Sequence, residues 1–247
     1  MRKLPAITLS FWIMKICATT LGETGGDLLS MTLHIGYAVS SVIFLSFFFI
    51  TLLLQLSTKI YHPLIYWSVI LSTSTAGTTM SDFMDRTMGL GYAYGSLLLV
   101  SLLSVTLLIW NRTEKSLSVS EIKTRRGEIF YWTAILFSNT LGTALGDFLA
   151  DNSGLGFSGG AMLIGSLLLL VVAGYYFSKI SHVLLFWVAF VLTRPFGATF
   201  GDLLSKPVEK GGLNFGTQGS SLILLTMLVT MILFTTFQLR KNKITAE

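Results

Sequence analysis

Apolar positions along the chain form eight stretches separated by polar residues. Four of these stretches contain no Asp, Glu, Lys or Arg, and each exceeds the roughly 20 residues that a helix needs to cross a bilayer. They are residues 28–58, 87–111, 152–178 and 211–239. The other four are shorter and contain isolated polar residues. The pattern predicts an all-α, polytopic membrane protein with eight transmembrane helices, near residues 7–26, 36–56, 61–81, 91–110, 129–147, 157–177, 182–201 and 216–238.

An internal repeat groups these helices into four pairs. A Trp, a Gly ten residues later and an Asp five residues after that occur four times, at intervals of 55, 65 and 55 residues: Trp12-Gly22-Asp27, Trp67-Gly77-Asp82, Trp132-Gly142-Asp147 and Trp187-Gly197-Asp202. Two spans per repeat give all four repeats the same orientation in the bilayer, as in transporters with parallel repeats. The predicted organisation is a first transmembrane half at 1–110, a linker at 111–128 and a second half at 129–247.

The charges orient this arrangement. Only 12% of the residues are charged and 52% are hydrophobic, whereas soluble domains have about 25% charged residues. Twelve of the seventeen basic residues fall on the side of the two termini: Arg2, Lys3, Lys59, Arg112, Lys115, Lys123, Arg125, Arg126, Lys179, Arg240, Lys241 and Lys243. The other side has Arg86, Lys206 and Lys210. The positive-inside rule therefore predicts cytoplasmic termini, with the Asp motifs towards the outer face. The lipid bilayer is the predicted partner, the positive charge reflects topology rather than a nucleic-acid surface, and no feature indicates an oligomeric state.

Each first helix of a repeat has a stripe of small residues. Four residues after the Gly stands a second small residue, directly before the Asp: Gly26, Ser81, Gly146 and Gly201. Small residues at this spacing allow helix backbones to approach closely in a membrane. Four such stripes in register predict a shared helix interface.

A polar face lies beside that stripe and ends at the repeated Asp. Seven residues before the Asp stand Thr20, Thr75, Thr140 and Pro195, and four before it stand Glu23, Thr78, Thr143 and Ala198. A carboxylate facing lipid is costly, so this face is expected to point into the bundle. Parallel repeats place Asp27, Asp82, Asp147 and Asp202 at one depth around the axis. A ring of carboxylates selects cations, and oxygen ligands without Cys or His suit Mg²⁺, Mn²⁺, Ca²⁺, Na⁺ or H⁺.

The repeats differ at two charged positions. Arg194 stands where the other repeats have Thr19, Ser74 and Asn139, and Glu23 stands where they have Thr or Ala. An arginine at membrane depth needs a partner, which Glu23 or a motif Asp can supply. Arg194 in a central pathway also leaves open a second substrate class, a small anion.

Two simpler interpretations stand beside these. An Asp near a helix end can cap the following segment or satisfy free backbone donors. The repeated Trp residues near the predicted cytoplasmic ends are typical of anchors in the membrane interface. The second helices open with Gly36-Tyr37, Gly91-Tyr92, Gly156-Phe157 and, in the fourth repeat, Asn214-Phe215.

The four two-span repeats, each with a Trp and a Gly-x-x-x-small-Asp element, resemble a bacterial family of uncharacterised membrane-anchored proteins built from a repeat of unknown function. The resemblance covers nearly the whole chain outside residues 111–128 and implies a multi-pass protein of the bacterial cytoplasmic (inner) membrane. The element Glu23-Thr-Gly-Gly-Asp27 is also similar to the Glu-x-Gly-Asp motif of calcium/manganese-proton exchangers. It departs from that motif by one extra residue, by the missing basic-hydroxyl pair and by having Glu in one repeat only.

These patterns favour a membrane transporter or exchanger for a small hard cation such as manganese, magnesium or calcium, with proton coupling. Asp27, Asp82, Asp147 and Asp202 are the predicted metal ligands, and Glu23, Thr20, Thr75, Thr140 and Arg194 complete the predicted substrate site. The alternatives are a non-transporting membrane scaffold or sensor and a small-anion transporter that uses Arg194. No enzyme activity and no cofactor are predicted, since the chain has no HExxH or P-loop sequence and no convincing Ser/His/Asp set.

Overall fold

The computed structural model describes residues 4–119, 122 and 124–244. Within this part of the chain every regular element is helical, which confirms the all-α prediction. Eight α-helices follow one another: α1 (Leu9–Asp27), α2 (Tyr37–Ser57), α3 (Pro63–Asp82), α4 (Gly91–Glu114), α5 (Arg125–Asp147), α6 (Gly156–Phe177), α7 (His182–Ser205) and α8 (Gly216–Ile244).

Five of these helices are long and apolar enough to cross a membrane, namely α2, α4, α6, α7 and α8. Their mean hydropathy lies between 1.7 and 2.3. Large apolar side chains such as Phe49, Leu169 and Phe234 are exposed on the outer helices. Such surfaces are typical of contact with lipid, so the chain is a membrane-embedded protein.

The first helices of the four repeats form a closed inner ring. α1 packs against α3, α3 against α5, α5 against α7, and α7 returns to α1. The second helices lie outside this ring, and each packs against the inner helix of the next repeat: α2 on α3, α4 on α5, α6 on α7 and α8 on α1. Contacts such as α4 with α5 and α8 with α1 therefore join the two halves of the chain.

The repeated glycines are the points of closest approach in the inner ring. A Cβ atom added to Gly22 would lie 2.9 Å from the backbone carbon of Ser74, and one added to Gly197 would lie 2.8 Å from that of Thr19. A Cβ on Gly77 would lie 3.0 Å from the backbone carbon of Asn139, and one on Gly142 would meet side-chain atoms of Arg194 and the ring of Pro195. Each glycine thus faces the next inner helix, and the predicted interface of small residues is confirmed.

The connections between the inner and outer helix of each repeat share features of backbone conformation. After Asp27, Asp82 and Asp147 the chain makes one π-helical turn, and in the fourth repeat α7 instead continues to Ser205. Before each outer helix two residues with positive φ stand two positions apart: His34 and Gly36, Gly89 and Gly91, Gly154 and Gly156, Asn214 and Gly216. This register corrects the predicted equivalence of Asn214-Phe215 with Gly36-Tyr37, because the counterpart of Gly36 is Gly216.

Three of the four repeated Trp residues lie inside the bundle, and Trp12 is partly buried. Trp67, Trp132 and Trp187 are buried, and they form an aromatic cluster with neighbours such as Tyr66 and Tyr131. The interpretation of these three Trp residues as interfacial anchors is therefore wrong. Their position near the helix ends matched that interpretation, but in the closed ring they pack against the aromatic residues Tyr66, Tyr131 and Phe186 of the inner helices.

The connection between the two halves is shorter than the predicted linker at 111–128. α4 extends to Glu114 and α5 begins at Arg125, where Thr124 caps the helix by accepting a hydrogen bond from the Gly127 amide at 2.9 Å. Part of the connection packs against the bundle, since the Trp187 Nε1 donates to the carbonyl of Leu117 at 3.0 Å. Lys123 lies outside the described residues.

Candidate ion site on the axis of the inner ring

The four inner helices turn one column of side chains towards one another. The column follows every fourth residue, so each turn of helix contributes one side chain per repeat to a layer. From one end to the other, the layers are Phe11, Tyr66, Tyr131 and Phe186; Lys15, Ile70, Ile135 and Phe190; Thr19, Ser74, Asn139 and Arg194; Glu23, Thr78, Thr143 and Ala198; and Asp27, Asp82, Asp147 and Asp202. All twenty residues are buried. The sequence thus builds a buried axis that is aromatic at one end and acidic at the other, the Asp end.

The four repeated carboxylates lie together at the Asp end. Their exposed fractions are between 2 and 5%. Asp82 and Asp147 share Arg86, whose Nε lies 2.8 Å from Asp82 Oδ1 and whose Nη2 lies 2.9 Å from Asp147 Oδ2. Arg86 also approaches Asp151 Oδ2 at 3.7 Å. One guanidinium therefore joins the carboxylates of repeats 2 and 3.

Lys206 joins the carboxylates of repeats 4 and 1. Its Nζ lies 2.5 Å from Asp27 Oδ2 and 3.1 Å from Asp202 Oδ1. Arg86 and Lys206 each stand four residues after their own Asp, whereas repeats 1 and 3 have Met31 and Asp151 at that position. The Asp end therefore has an approximate twofold arrangement of two tethered cations and four carboxylates.

The Asp side chains do not cap helices. Asp27, Asp82 and Asp147 each precede a π-helical turn, and none of the three makes a side-chain hydrogen bond to the backbone of that turn. Asp202 lies inside α7. The capping interpretation is therefore wrong, and the four Asp side chains pair with Arg86 and Lys206 instead.

Arg194 connects all four repeats one layer deeper. Its side chain is fully buried, and Nη2 lies 3.0 Å from Glu23 Oε2 and 2.7 Å from Thr143 Oγ1. Thr78 Oγ1 also contacts Nη2, and Nη1 donates to the Thr19 carbonyl at 3.1 Å. Glu23 and the motif Asp residues were the two predicted partners of Arg194, and the structure shows Glu23.

A second buried cation lies one layer beyond Arg194. Lys15 Nζ donates to Asn139 Oδ1 at 3.4 Å and lies 4.1 Å from the centre of the Phe190 ring. Asn139 in turn donates to Thr73 Oγ1 at 2.9 Å. Polar groups thus continue along the axis to the apolar layer, where Ile70 and Ile135 stand beside Lys15.

Three of the carboxylates come close enough to share a metal ion. One carboxylate oxygen each from Glu23, Asp147 and Asp202 lies within 4.8 Å of the other two. Asp27 and Asp82, which were predicted to complete a ring of four ligands, do not belong to this group. Carboxylate oxygens are the ligands that hard cations prefer.

The predicted threonines are buried but bond elsewhere. Thr20 Oγ1 donates to the Ile16 carbonyl at 2.9 Å, Thr75 Oγ1 to Ser72 at 3.1 Å and Thr140 Oγ1 to Leu136 at 2.9 Å. Each of these bonds stays within one helix, so none of the three hydroxyls is directed at the carboxylates. The residues four before the Asp, including Thr78 and Thr143, occupy the axial position instead.

Sequence reasoning missed the basic partners of the Asp residues. Arg86 and Lys206 were counted only as loop charges that determine topology. Their spacing of four residues from Asp82 and Asp202 is the signal that could have identified them, because residues at that spacing are neighbours on a helix surface. Ser74, Asn139 and Lys15 were likewise not predicted to lie on the axis.

A G-x-S-x-G sequence occurs at Gly156–Gly160, the start of α6. In serine hydrolases this sequence forms a sharp turn between a strand and a helix, which presents the serine as a nucleophile. Ser158 instead lies on an outer helix and is exposed. The match therefore gives no support for hydrolase chemistry.

Comparisons with known proteins agree with this repeat structure. The family model described as Repeat of Unknown Function (DUF347) matches four times, at residues 10–61, 65–116, 130–181 and 185–241. Each match covers one inner helix and the outer helix that follows it. Comparisons with curated proteins and with solved structures give no match. The four matches span most of the chain, which therefore belongs to the Repeat of Unknown Function (DUF347) family.

Proposed function

We propose that this protein carries a small hard cation across a membrane and that the carboxylates at the Asp end bind the ion. The observation that supports this proposal is an excess of buried negative charge. Five carboxylates lie in the two acidic layers, at Glu23, Asp27, Asp82, Asp147 and Asp202. Three basic side chains pair with them, Arg86, Arg194 and Lys206. Five minus three leaves two negative charges in these two layers when all groups are ionised, and buried charges require partners. Lys15, two layers beyond Glu23, contacts Asn139 and the Phe190 ring and is not counted among these pairs.

A divalent cation such as Mn²⁺, Mg²⁺ or Ca²⁺ fits this charge balance. Glu23, Asp147 and Asp202 supply three oxygen ligands from three different repeats. Closely grouped carboxylates titrate as a coupled set, so protons are natural competitors for the same oxygens. The proposed transport is therefore an exchange in which the arriving cation displaces protons.

The geometry at Arg194 favours a cation over an anion. Glu23 Oε2 lies 3.0 Å from the guanidinium, and hydroxyls of Thr78 and Thr143 contact the same nitrogen. An anion would have to displace this carboxylate from a fully buried arginine. Arg194 thus has a role in holding the four repeats together.

We further propose that all eight helices cross the membrane, with both termini in the cytoplasm of a bacterium and the Asp end towards the outside. α1, α3 and α5 have 19, 20 and 23 residues, and helices of this length extend about 30 Å. They stand in one ring with α7, which is apolar enough to span. Their lower hydropathy follows from the polar axis that they enclose.

Flux into sealed vesicles tests the proposed function. The purified full-length protein is reconstituted, and uptake of Mn²⁺, Mg²⁺ and Ca²⁺ is measured together with internal pH. We expect cation uptake with proton release, and we expect Asp147→Asn and Asp202→Asn to reduce uptake about tenfold or more, since each removes a charged ligand. The Asn side chains keep the size of Asp, so melting temperatures measured alongside should show folded proteins.

The control is Glu209→Gln, an exposed carboxylate in the loop after α7. It should keep the uptake of the parent protein. Vesicles with folded parent protein but no flux of any tested cation would instead indicate the scaffold or sensor alternative. Unchanged flux in both Asn variants would exclude these carboxylates as the site.

A further inference from the structure

The two tethered cations at the Asp end share a position but are held unequally. Arg86 lies near three carboxylates, and its guanidinium carbon is 5.7 Å from the centre of the Tyr92 ring. Tyr92 also donates to Asp151 Oδ2 at 3.0 Å, which fixes both neighbours of the guanidinium. A planar guanidinium bound in this manner loses several contacts at once when it moves.

Lys206 has fewer partners. Its ammonium contacts Asp27 and Asp202, and beyond these it meets only the sulfur of Met31 at 4.0 Å among the described residues. The side chain of Lys206 is 20% exposed and that of Arg86 37%, so the two cations differ in the number of their partners and not in a greater exposure of Lys206, while the carboxylate partners of Lys206 are 4 and 8% exposed. Lys206 therefore stands between the buried carboxylates and the surroundings of the bundle.

The backbone at Lys206 is fixed while its side chain is long and flexible. The loop after α7 folds back on the helix end, where the Asn214 amide donates to the Lys206 carbonyl at 2.9 Å and the Leu213 amide to the Leu203 carbonyl at 2.6 Å. A lysine side chain has a flexible four-carbon stem and binds as a compact charge. Movement of the ammonium alone can expose Asp27 and Asp202.

Asp202 links Lys206 to the candidate metal ligands. It belongs to the group formed with Glu23 and Asp147, and its Oδ1 lies 3.1 Å from the Lys206 ammonium. A metal cation and the Lys206 ammonium would therefore compete for the carboxylate of Asp202. Arg86 likewise contacts one candidate ligand, Asp147, at 2.9 Å, but it also has Asp82 and Asp151 as partners that do not belong to the group.

We infer that Lys206 is a tethered counterion that occupies Asp27 and Asp202 until a divalent cation enters between repeats 4 and 1 and displaces it. The inference rests on the proposed function and assigns the specificity-determining role to one side of the site. Arg86 stays in place, because Asp82 and Asp151 still hold it in repeats 2 and 3 when Asp147 binds the ion. Because the ion competes with a charge built into the chain, its apparent affinity is lowered by the fraction of molecules in which Lys206 occupies the carboxylates.

Removing and restoring this charge tests the inference. Lys206→Cys is made in a Cys17→Ala background, which lacks the protein's own cysteine, and Mn²⁺ binding to the purified full-length protein is measured by calorimetry. We expect Kd to fall about tenfold relative to the background protein. Aminoethyl methanethiosulfonate attaches an ammonium to the introduced thiol through a disulfide, with methanesulfinate leaving, and should restore the parent Kd. The uncharged methyl reagent should leave binding tight.

Two further variants separate this role from a structural one. Arg86→Cys should lower the melting temperature without tightening Mn²⁺ binding, and Lys210→Cys, an exposed lysine of the same loop, should leave Kd unchanged. If the Lys206→Cys protein does not fold, Lys206→Arg replaces it, and its firmer contact with both carboxylates should weaken Mn²⁺ binding.

The outcomes distinguish the inference from the proposed function. The role of Lys206 as a tethered counterion is overturned if the background protein and the Lys206→Cys protein bind Mn²⁺ with the same Kd. It is also overturned if the aminoethyl group does not restore the parent Kd. Neither result contradicts the proposed cation site. Equal tightening in Arg86→Cys also overturns it. Absence of Mn²⁺ binding in every variant overturns both the inference and the proposed cation site.

Discussion

Arg194 illustrates at the scale of one residue how this bundle balances a buried charge. Removal of a guanidinium from water costs several kcal/mol, and only an opposite charge together with hydrogen bonds offsets that cost. Glu23 supplies the charge, while Thr78, Thr143 and the carbonyl of Thr19 supply the other acceptors. Each repeat thus contributes to the environment of one side chain, and the ion pair fixes the register of the inner helices.

Loss of one partner should therefore be more harmful than loss of both. We expect Glu23→Gln to lower the free energy of unfolding by about 3 to 5 kcal/mol, because Arg194 is then buried without its counterion. The double variant Glu23→Met with Arg194→Met removes both charges and should recover most of that loss. Chemical unfolding in detergent measures both, with Glu209→Gln as the exposed control. A double variant less stable than Glu23→Gln would contradict this account.

Individual residues also show where the sequence was sufficient. The repeat spacing predicted that the four Asp residues share one position in the bundle, and the asymmetry between repeats predicted that Arg194 pairs with Glu23 or a motif Asp. The structure shows Glu23 as the partner. The spacing did not distinguish the row of residues seven positions before each Asp from the row four positions before it. Residues three and four positions apart fall on nearly the same helical face. The structure selects the row that contains Thr78 and Thr143, because the glycines bring the neighbouring backbones together beside it.

At the scale of helices, close packing depends on the absence of side chains at the glycine positions. A Cβ added to Gly142 would lie 2.8 Å from Cδ of Pro195 and would also meet Arg194. Pro195 lies inside α7, where its ring cannot move without moving the helix backbone. The glycine of repeat 3 is therefore expected to tolerate no methyl group.

Alanine at two helical glycines should have opposite effects. Gly142→Ala should lower the free energy of unfolding by about 1 to 3 kcal/mol through overpacking. Gly219→Ala in α8 meets nothing within 4 Å and should raise stability by up to about 1 kcal/mol, the difference in helix propensity. Melting temperatures of both proteins in detergent provide the test. A similar change in both would mean that the stripe of small residues does not determine packing.

The limits of the eight helices were largely predictable, but their partners were not. Long apolar runs and glycine-containing turns locate helices, so the predicted stretch 61–81 corresponds to Pro63–Asp82. A hydrophobic face does not specify which helix covers it. The two helices of one repeat are adjacent in sequence, yet α2 packs mainly on α3 and α4 mainly on α5. Each outer helix thus covers the next repeat.

Closure of the inner ring is a property of the whole molecule, and it encloses the polar sides of the four inner helices. Packing of α8 on α1 and of α7 on α1 joins the last repeat to the first, so no inner helix is left with a free polar side. The outer helices surround the ring and face outwards with exposed apolar side chains. This order is consistent with the lower apolar content of α1, α3 and α5, since their side chains largely contact protein.

The proposed topology makes a prediction for α3, one of these less apolar helices. If α3 crosses the membrane, its two ends must react on opposite sides, and Lys59 and Met88 are exposed residues beyond those ends. In a Cys17→Ala background, Met88→Cys should react with an impermeant maleimide in intact cells, and Lys59→Cys only after permeabilisation, because the excess of basic residues places that side in the cytoplasm. Lys179→Cys and Glu209→Cys flank α7, which is apolar enough to span, and should reproduce the two patterns. Reaction of both α3 cysteines from the same side would show that the inner ring does not cross the membrane as a unit, and a reversed pattern in both pairs would place the Asp end in the cytoplasm.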